Sequence, residues 1–126
     1  MSLPYAWLNR GSTWTFGNVD LILQNDGNLV MYRKGNHSIV YWKTNTVGSG
    51  ATQLLFQRDG NLVLYTANYA RAVWASGTSN KCGGWETPAL STQGDSNMVV
   101  YCATRIGNGS ASWAMDDIWS TKTNGV

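Results

Sequence analysis

Charge, proline, phenylalanine and histidine are scarce in this chain, and the shortage of charge excludes the most. Asp, Glu, Lys and Arg make up 13% of the 126 residues, about half the usual share, and the formal charge is only +2. The nine basic residues are scattered, so no basic patch is present that could neutralise a run of phosphates. Nucleic acid is therefore not an expected partner.

Membrane, leader and metal signals are also missing. No stretch approaches the roughly 20 apolar residues of a membrane span, and the N-terminal sequence has neither the basic nor the apolar part of a signal peptide. Two cysteines and one histidine, without a C-x-x-C pair, do not supply a four-ligand zinc site, so we expect no metal and no cofactor. The small, polar-rich composition favours action outside the cell or at its surface.

The two cysteines, Cys82 and Cys102, can be interpreted in two ways. A disulfide between them would close a loop of about 20 residues and stabilise the fold by roughly 3 kcal/mol in the chain-entropy picture. Two buried free thiols are the alternative. We favour the disulfide, because the chain has the composition of an extracellular domain.

The chain is rich in Gly, Asn and aromatic residues, and it contains an internal repeat. The pattern Q-x-D-x-N-x-V-x-Y occurs three times with every fixed position intact, and a tryptophan follows each copy, at Trp42, Trp74 and Trp119. The fixed positions are Gln24, Asp26, Asn28, Val30 and Tyr32; Gln57, Asp59, Asn61, Val63 and Tyr65; and Gln93, Asp95, Asn97, Val99 and Tyr101.

The local pattern of each repeat predicts β-structure. Short apolar runs end at the motif Gln, and Asp26-Gly27 and Asp59-Gly60 are strong hairpin-turn signals, of which Asp95-Ser96 is a weaker version. After each turn the residues alternate, so the motif Asn, Val and Tyr share one strand face. We expect one all-β domain over residues 1–126, with three antiparallel sheets of approximate threefold symmetry, repeats at about 8–46, 47–79 and 80–124, and the repeated Trp in a shared core.

Two local features depart from the repeat. The interval between Tyr101 and Trp119 is longer than its counterparts, and its Gly, Ser and Asn content predicts a lengthened loop from about Arg105 to Asp116. The single histidine, His37, lies in a polar stretch after Lys34-Gly35, for which we predict a loop and a solvated side chain.

One motif face carries a carboxylate, two amides, a phenol and an aliphatic patch. Sugar hydroxyls both donate and accept hydrogen bonds, so a mixture of acceptor-only, amide and hydroxyl groups is a good partner set. The aliphatic group can cover the C–H edges of a sugar ring, and the tyrosine can close one end of the site. Nothing in the face is suited to breaking a bond.

The three motifs, each followed by a Trp strand, closely resemble those of the monocot bulb-type, snowdrop-like mannose-binding lectins. The resemblance extends from about Leu8 to Asn124 and implies a β-prism II fold of three four-stranded sheets, with Trp42, Trp74 and Trp119 in the centre. It also implies mannose binding at each motif: Asp and Asn at the axial O2 hydroxyl, Gln at O3, Tyr at O4 and Val against the ring carbons. The expected partners are mannose-containing glycans, and exchange of the C-terminal segment, residues 117–126, would give a homodimer.

Two other classes of function compete with this interpretation. A glycosidase needs two carboxyl groups facing one bond, whereas Asp26, Asp59 and Asp95 are expected on three different sheets, so we predict no enzymatic activity. A protein-binding or bacteriocin-like module could use the same scaffold with degenerate sugar sites. It predicts tight one-to-one protein binding that free mannose does not compete away.

Overall fold

The computed structural model describes residues 2–3, 6–84, 86–92, 94–105 and 113–126. Over these residues the chain is built almost wholly of β-strands, with one short 3-10 turn at Ala67–Tyr69. The strands are β1 (Ser2–Leu3), β2 (Ala6–Asn9), β3 (Thr13–Phe16), β4 (Val19–Leu23), β5 (Leu29–Arg33), β6 (Asn36–Lys43), β7 (Ala51–Phe56), β8 (Leu62–Thr66), β9 (Ala72–Ala75), β10 (Thr87–Thr92), β11 (Met98–Arg105) and β12 (Trp113–Ser120).

The strands form three antiparallel sheets, as the repeat predicted, and each sheet has four strands, as the family resemblance implied. Sheet I has the order β3-β4-β5-β6, sheet II the order β2-β7-β8-β9 and sheet III the order β1-β10-β11-β12. Each sheet carries one motif, in the turn after its second strand and on its third strand. The N-terminal strands β1 and β2 complete sheets III and II, where Leu3 lies opposite Leu90 and Ala6 opposite Phe56.

The inner faces of the sheets meet in one core because the strands alternate. Leu29 and Met31 of β5 are fully buried in it, and so are the equivalent residues of β8 and β11. The three repeated tryptophans, Trp42, Trp74 and Trp119, pack against this core. Their rings contact one another edge to face, with centroids 5.6–5.8 Å apart. Such edge-to-face pairs add favourable geometry to the burial of apolar area, so the three rings tie the sheets together.

The motif turns adopt a backbone that explains their residue types. Gly27 and Gly60 have φ of +88° and +89°, and Ser96 takes the same position with φ +74°. A side chain is strained at such angles, which is why Asp-Gly predicted these turns well and Asp-Ser predicted the third one less well.

The prediction of a long loop in the third repeat is partly wrong. Arg105 belongs to β11 and Trp113 to β12, and these two residues lie opposite each other in the hairpin. The extra residues thus lengthen both strands of this hairpin, and only 106–112 of the predicted loop lie outside the described residues. The predicted disulfide is confirmed: Cys82 is bonded to Cys102, with Cα atoms 5.4 Å apart.

Candidate functional site

Each motif aspartate stabilises its own turn. Its Oδ1 accepts a hydrogen bond from the backbone N–H two residues later, at 2.9 Å in the first motif and 3.0 Å in the other two. This Asx turn fixes the carboxylate at the edge of the motif face. In the second motif the other oxygen, Oδ2 of Asp59, accepts a hydrogen bond of 2.7 Å from the Ser79 hydroxyl.

Each motif asparagine uses its amide oxygen to hold the chain that follows the tryptophan. In the second motif, Oδ1 of Asn61 accepts from the N–H groups of Gly77 and Thr78, both at 3.1 Å, and from the Ser76 hydroxyl at 3.3 Å. The oxygens of Asn28 and Asn97 accept in the same way from the corresponding residues. The amide orientation is therefore fixed, and the NH₂ group is left to donate to a ligand.

A pair of hydroxyl residues after each tryptophan completes this network, and sequence reasoning assigned it no role. The second hydroxyl of each pair donates to the carbonyl of the residue after the motif Asp, at 2.6–2.7 Å. The first accepts from the N–H that opens the motif strand, at 3.1–3.2 Å. The pairs are Thr44 with Thr46, Ser76 with Thr78, and Thr121 with Thr123. Their repetition in the sequence was the available signal.

The glutamine and tyrosine of a motif are joined to each other. Nε2 of Gln24 donates to the hydroxyl oxygen of Tyr32, and Gln57 donates in the same way to Tyr65. The amide of each glutamine is thereby oriented, and its carbonyl oxygen is turned away from the tyrosine. The predicted site residue Gln93 lies outside the described residues.

The third motif face differs from the other two in the solvent exposure of its tyrosine. The motif valines are buried in all three faces, so they form the floor of each one. Tyr32 and Tyr65 are half-buried, whereas only 4% of the Tyr101 surface is exposed. Tyr101 packs with Val99, Ala89 and Ala103 in a separate apolar cluster on the outer side of sheet III.

The neighbour of Tyr32 is His37, whose side chain is exposed as predicted, but the prediction that it lies in a loop is wrong. His37 lies in β6, its ring stacks on that of Tyr32 with centroids 4.8 Å apart, and its Nε2 lies 2.9 Å from Oδ2 of Asp20. The hydrogen bond from His37, followed by one from Thr15, lowers the pKa of the Asp20 carboxyl below its usual value. The polar stretch that suggests a loop contains only a tight turn, at Lys34 and Gly35, and β6 begins directly after it at Asn36.

The described side chains carry little else that suggests chemistry. No group of three His, Cys, Asp or Glu among them is placed to hold a metal ion. No helix in the described part of the chain is long and apolar enough to span a membrane. The motif faces therefore remain as the repeated, polar and partly open surfaces of the molecule, and what they offer is hydrogen bonding over an apolar floor.

Three four-stranded sheets around a central tryptophan triad, each with a polar motif face, define a β-prism II protein. Comparisons with protein-family models and with curated protein sequences found no match. Among solved structures, a monomeric monocot mannose-binding lectin from Gastrodia elata is 34% identical and has a TM-score of 0.69, over 98% of this chain and 97% of that one.

Two further structures are similar. The mannose-specific agglutinin of snowdrop (Galanthus nivalis), complexed with methyl-α-D-mannoside, is 32% identical with a TM-score of 0.67, over 88% of this chain and 97% of that one. The lectin of Japanese Marasmius oreades is 27% identical with a TM-score of 0.69, over 95% and 87%. The chain belongs to the bulb-type, snowdrop-like family of mannose-binding lectins, which are carbohydrate-binding proteins.

Proposed function

We propose that this lectin binds terminal α-D-mannose of glycans at its motif faces. The observation that carries the proposal is the repetition of one geometry: each turn presents a carboxylate held by an Asx turn beside an amide whose oxygen is already occupied. Such a pair offers one fixed acceptor and one fixed donor, which suits a hydroxyl group that must both donate and accept.

The remaining motif groups extend this contact around the sugar ring. The carboxylate and the asparagine NH₂ bind the axial O2 hydroxyl, the glutamine binds O3, the tyrosine hydroxyl binds O4, and the buried valine packs against the ring carbons. On sheet I these groups are Gln24, Asp26, Asn28, Val30 and Tyr32, and on sheet II they are Gln57, Asp59, Asn61, Val63 and Tyr65. The axial O2 hydroxyl distinguishes mannose from glucose, so the Asp–Asn pair sets the specificity.

The faces of sheets I and II are the stronger sites in this proposal. Both expose part of the motif tyrosine, whereas Tyr101 on sheet III is buried, so its hydroxyl is less accessible to the O4 group of a sugar. Four or five net hydrogen bonds of about 1 kcal/mol each correspond to a dissociation constant on the order of millimolar. Useful affinity then comes from several faces binding one branched glycan or cell surface, which can add a factor of roughly 10² to 10⁴.

Retention on mannose-agarose tests the proposal. The informative variant is the triple change of Asp26, Asp59 and Asp95 to Asn, because Oδ1 still accepts from the turn N–H while the second carboxylate oxygen is lost. We expect the wild-type protein to be retained and eluted by free mannose but not by glucose, and the triple variant to pass through. Asn25→Ala, an exposed change in the first turn, is the matched control and should be retained.

Two results would contradict the proposal. If the wild-type protein passes straight through at low salt, mannose is not its ligand, and tight one-to-one binding to a protein becomes the better explanation. If the triple variant is retained as well as the wild type, the ligand is mannose but the motif aspartates do not bind it.

A further inference from the structure

The position that follows the second hydroxyl residue of each repeat lies beside the motif aspartate. In all three repeats, the backbone N–H of the next residue donates to the carbonyl oxygen of that aspartate, at 2.7–2.8 Å. The three positions are therefore equivalent in the fold, but they carry different exposed side chains: Val47 in the first repeat, Ser79 in the second and Asn124 in the third. A difference in side chain is thus placed next to identical Asp–Asn pairs.

On sheet II, the residue at this position contacts the motif carboxylate. The Ser79 hydroxyl donates to Oδ2 of Asp59 at 2.7 Å, a length typical of a hydrogen bond from a hydroxyl to a charged oxygen. The other oxygen, Oδ1 of Asp59, accepts from the Asn61 N–H at 3.0 Å. Asp59 is also half-buried, whereas Asp26 and Asp95 are exposed, so the carboxylate of sheet II is the most enclosed of the three.

The two hydrogen bonds together fix the plane of the Asp59 carboxylate. Rotation about the Cβ–Cγ bond of an aspartate has a broad energy minimum, so a bond to one oxygen alone leaves the other oxygen able to move. A hydrogen bond to each oxygen stops this rotation. Each carboxylate oxygen has two lone pairs, so Oδ2 of Asp59 can accept a further hydrogen bond from a sugar hydroxyl.

The equivalent residue on sheet I cannot make the second bond. The Val47 side chain has no hydrogen-bond donor, and 66% of its surface is exposed. Oδ1 of Asp26 accepts from the turn N–H as Asp59 does, but position 47 offers nothing to its second oxygen. Sheet I therefore has the same motif without the contact that Ser79 makes on sheet II.

We propose that Ser79 is a positioning residue for the sugar site of sheet II, where its hydroxyl holds Asp59 in the orientation that binds the axial O2 hydroxyl. This inference rests on the proposed function. Because the carboxylate is already ordered, the sugar does not have to order it on binding. Ordering one side chain changes a dissociation constant by about threefold to tenfold, so Ser79 strengthens binding by that factor without touching the sugar.

Amide NMR titration of the full chain tests the inference, because the side-chain NH₂ signals of Asn28 report on sheet I and those of Asn61 on sheet II. The ligands are methyl-α-D-mannoside and its 2-deoxy analogue, which lacks the O2 hydroxyl. The variants are Ser79→Val and Ser79→Thr, whose side chains have the same shape and differ in the hydroxyl. Val47 shows that a β-branched residue is accommodated at this position of the fold.

We expect Ser79→Thr to bind methyl-α-D-mannoside on sheet II within about twofold of the wild type, and Ser79→Val to bind it about threefold to tenfold more weakly. For the 2-deoxy analogue the two variants should agree within about twofold, because the ligand has no O2 hydroxyl for Asp59 to bind. Sheet I is the internal control, and its affinity for both ligands should be the same in the two variants.

The outcomes separate this inference from the proposed function. If methyl-α-D-mannoside does not shift the Asn61 NH₂ signals of the wild-type protein, the proposed function fails on sheet II and this inference fails with it. If it does shift them, but Ser79→Val binds the mannoside as tightly as Ser79→Thr or more tightly, only the positioning role of Ser79 is overturned. An equal loss of affinity for the mannoside and for its 2-deoxy analogue would also overturn that role.

Discussion

Replacing Asn61 with alanine removes the single oxygen on which the second motif turn and the chain after Trp74 converge. That oxygen accepts from Ser76, Gly77 and Thr78 at 3.1–3.3 Å. Gly77 is exposed and the Ser76 hydroxyl can rotate, so water compensates for much of these two losses. The Thr78 N–H belongs to a residue that is 2% exposed, and leaving such a group unpaired costs about 1–3 kcal/mol.

These contributions predict that Asn61→Ala lowers the free energy of unfolding by about 2–3 kcal/mol. With an unfolding entropy of about 2.1 cal/mol/K per residue over 126 residues, the Tm falls by about 8–11 °C. Differential scanning calorimetry measures the Tm, and urea titration followed by Trp fluorescence measures the free energy. Asn25→Ala, an exposed change in the first motif turn, should alter the free energy by less than about 0.5 kcal/mol.

A second variant separates the two roles of this residue. Asn61→Asp keeps an acceptor oxygen toward the Thr78 N–H but replaces the NH₂ donor, so it should cost less stability than Asn61→Ala and still abolish mannose binding at sheet II. A Tm within about 2 °C of the wild type for Asn61→Ala would show that the amide oxygen does not hold the turn, and the reasoning would be refuted.

Three further changes have defined outcomes. Gly60→Ala should lower the free energy of unfolding by about 1–3 kcal/mol, because φ is +89° and the added Cβ would lie 3.1 Å from Cβ of Pro88; an unchanged urea midpoint would contradict this. Asp20 has a lowered pKa, so its stabilising effect exists above the ordinary carboxyl pKa of about 3.9 and disappears as the pH falls through the lower folded value. The Tm difference between wild type and Asp20→Asn should therefore shrink from pH 6 to pH 3. A difference that grows as the pH falls would contradict the lowered pKa of Asp20. Removing the disulfide by the double change of Cys82 and Cys102 to Ala should cost roughly 3 kcal/mol, given its sequence separation of 20, and an equal Tm would show that the bridge does not stabilise the fold.

Much of the fold follows from local sequence because the same signals occur three times. Alternation after the Asp-Gly turns predicts which motif residues face the core, and Leu29 and Met31 are buried as expected. The edge strands β1 and β2 are not predictable in this way. They have two and four residues, and they are positioned by pairing with distant strands, such as Ala6 opposite Phe56, which no local pattern encodes.

The candidate site shows the same division. The motif residues are recognisable from their spacing, but their contacts depend on the tertiary structure. The amide oxygen of Asn61 finds its partners only because the chain after Trp74 returns to it. The neighbours of the motif tyrosines are also determined by the tertiary structure and not by the local sequence pattern. His37 reaches Tyr32 through a tight turn and a strand, and Tyr69 reaches Tyr65 through a 3-10 turn, so two repeats with the same motif acquire different surroundings.

The most direct test of the central claim is a crystal structure of this protein in complex with methyl-α-D-mannoside. The account predicts sugar density on the motif faces of sheets I and II, with the O2 hydroxyl within hydrogen-bonding distance of Asp26 and Asn28 on one face and of Asp59 and Asn61 on the other. Density for the sugar at another surface, with both of these faces empty, would contradict it.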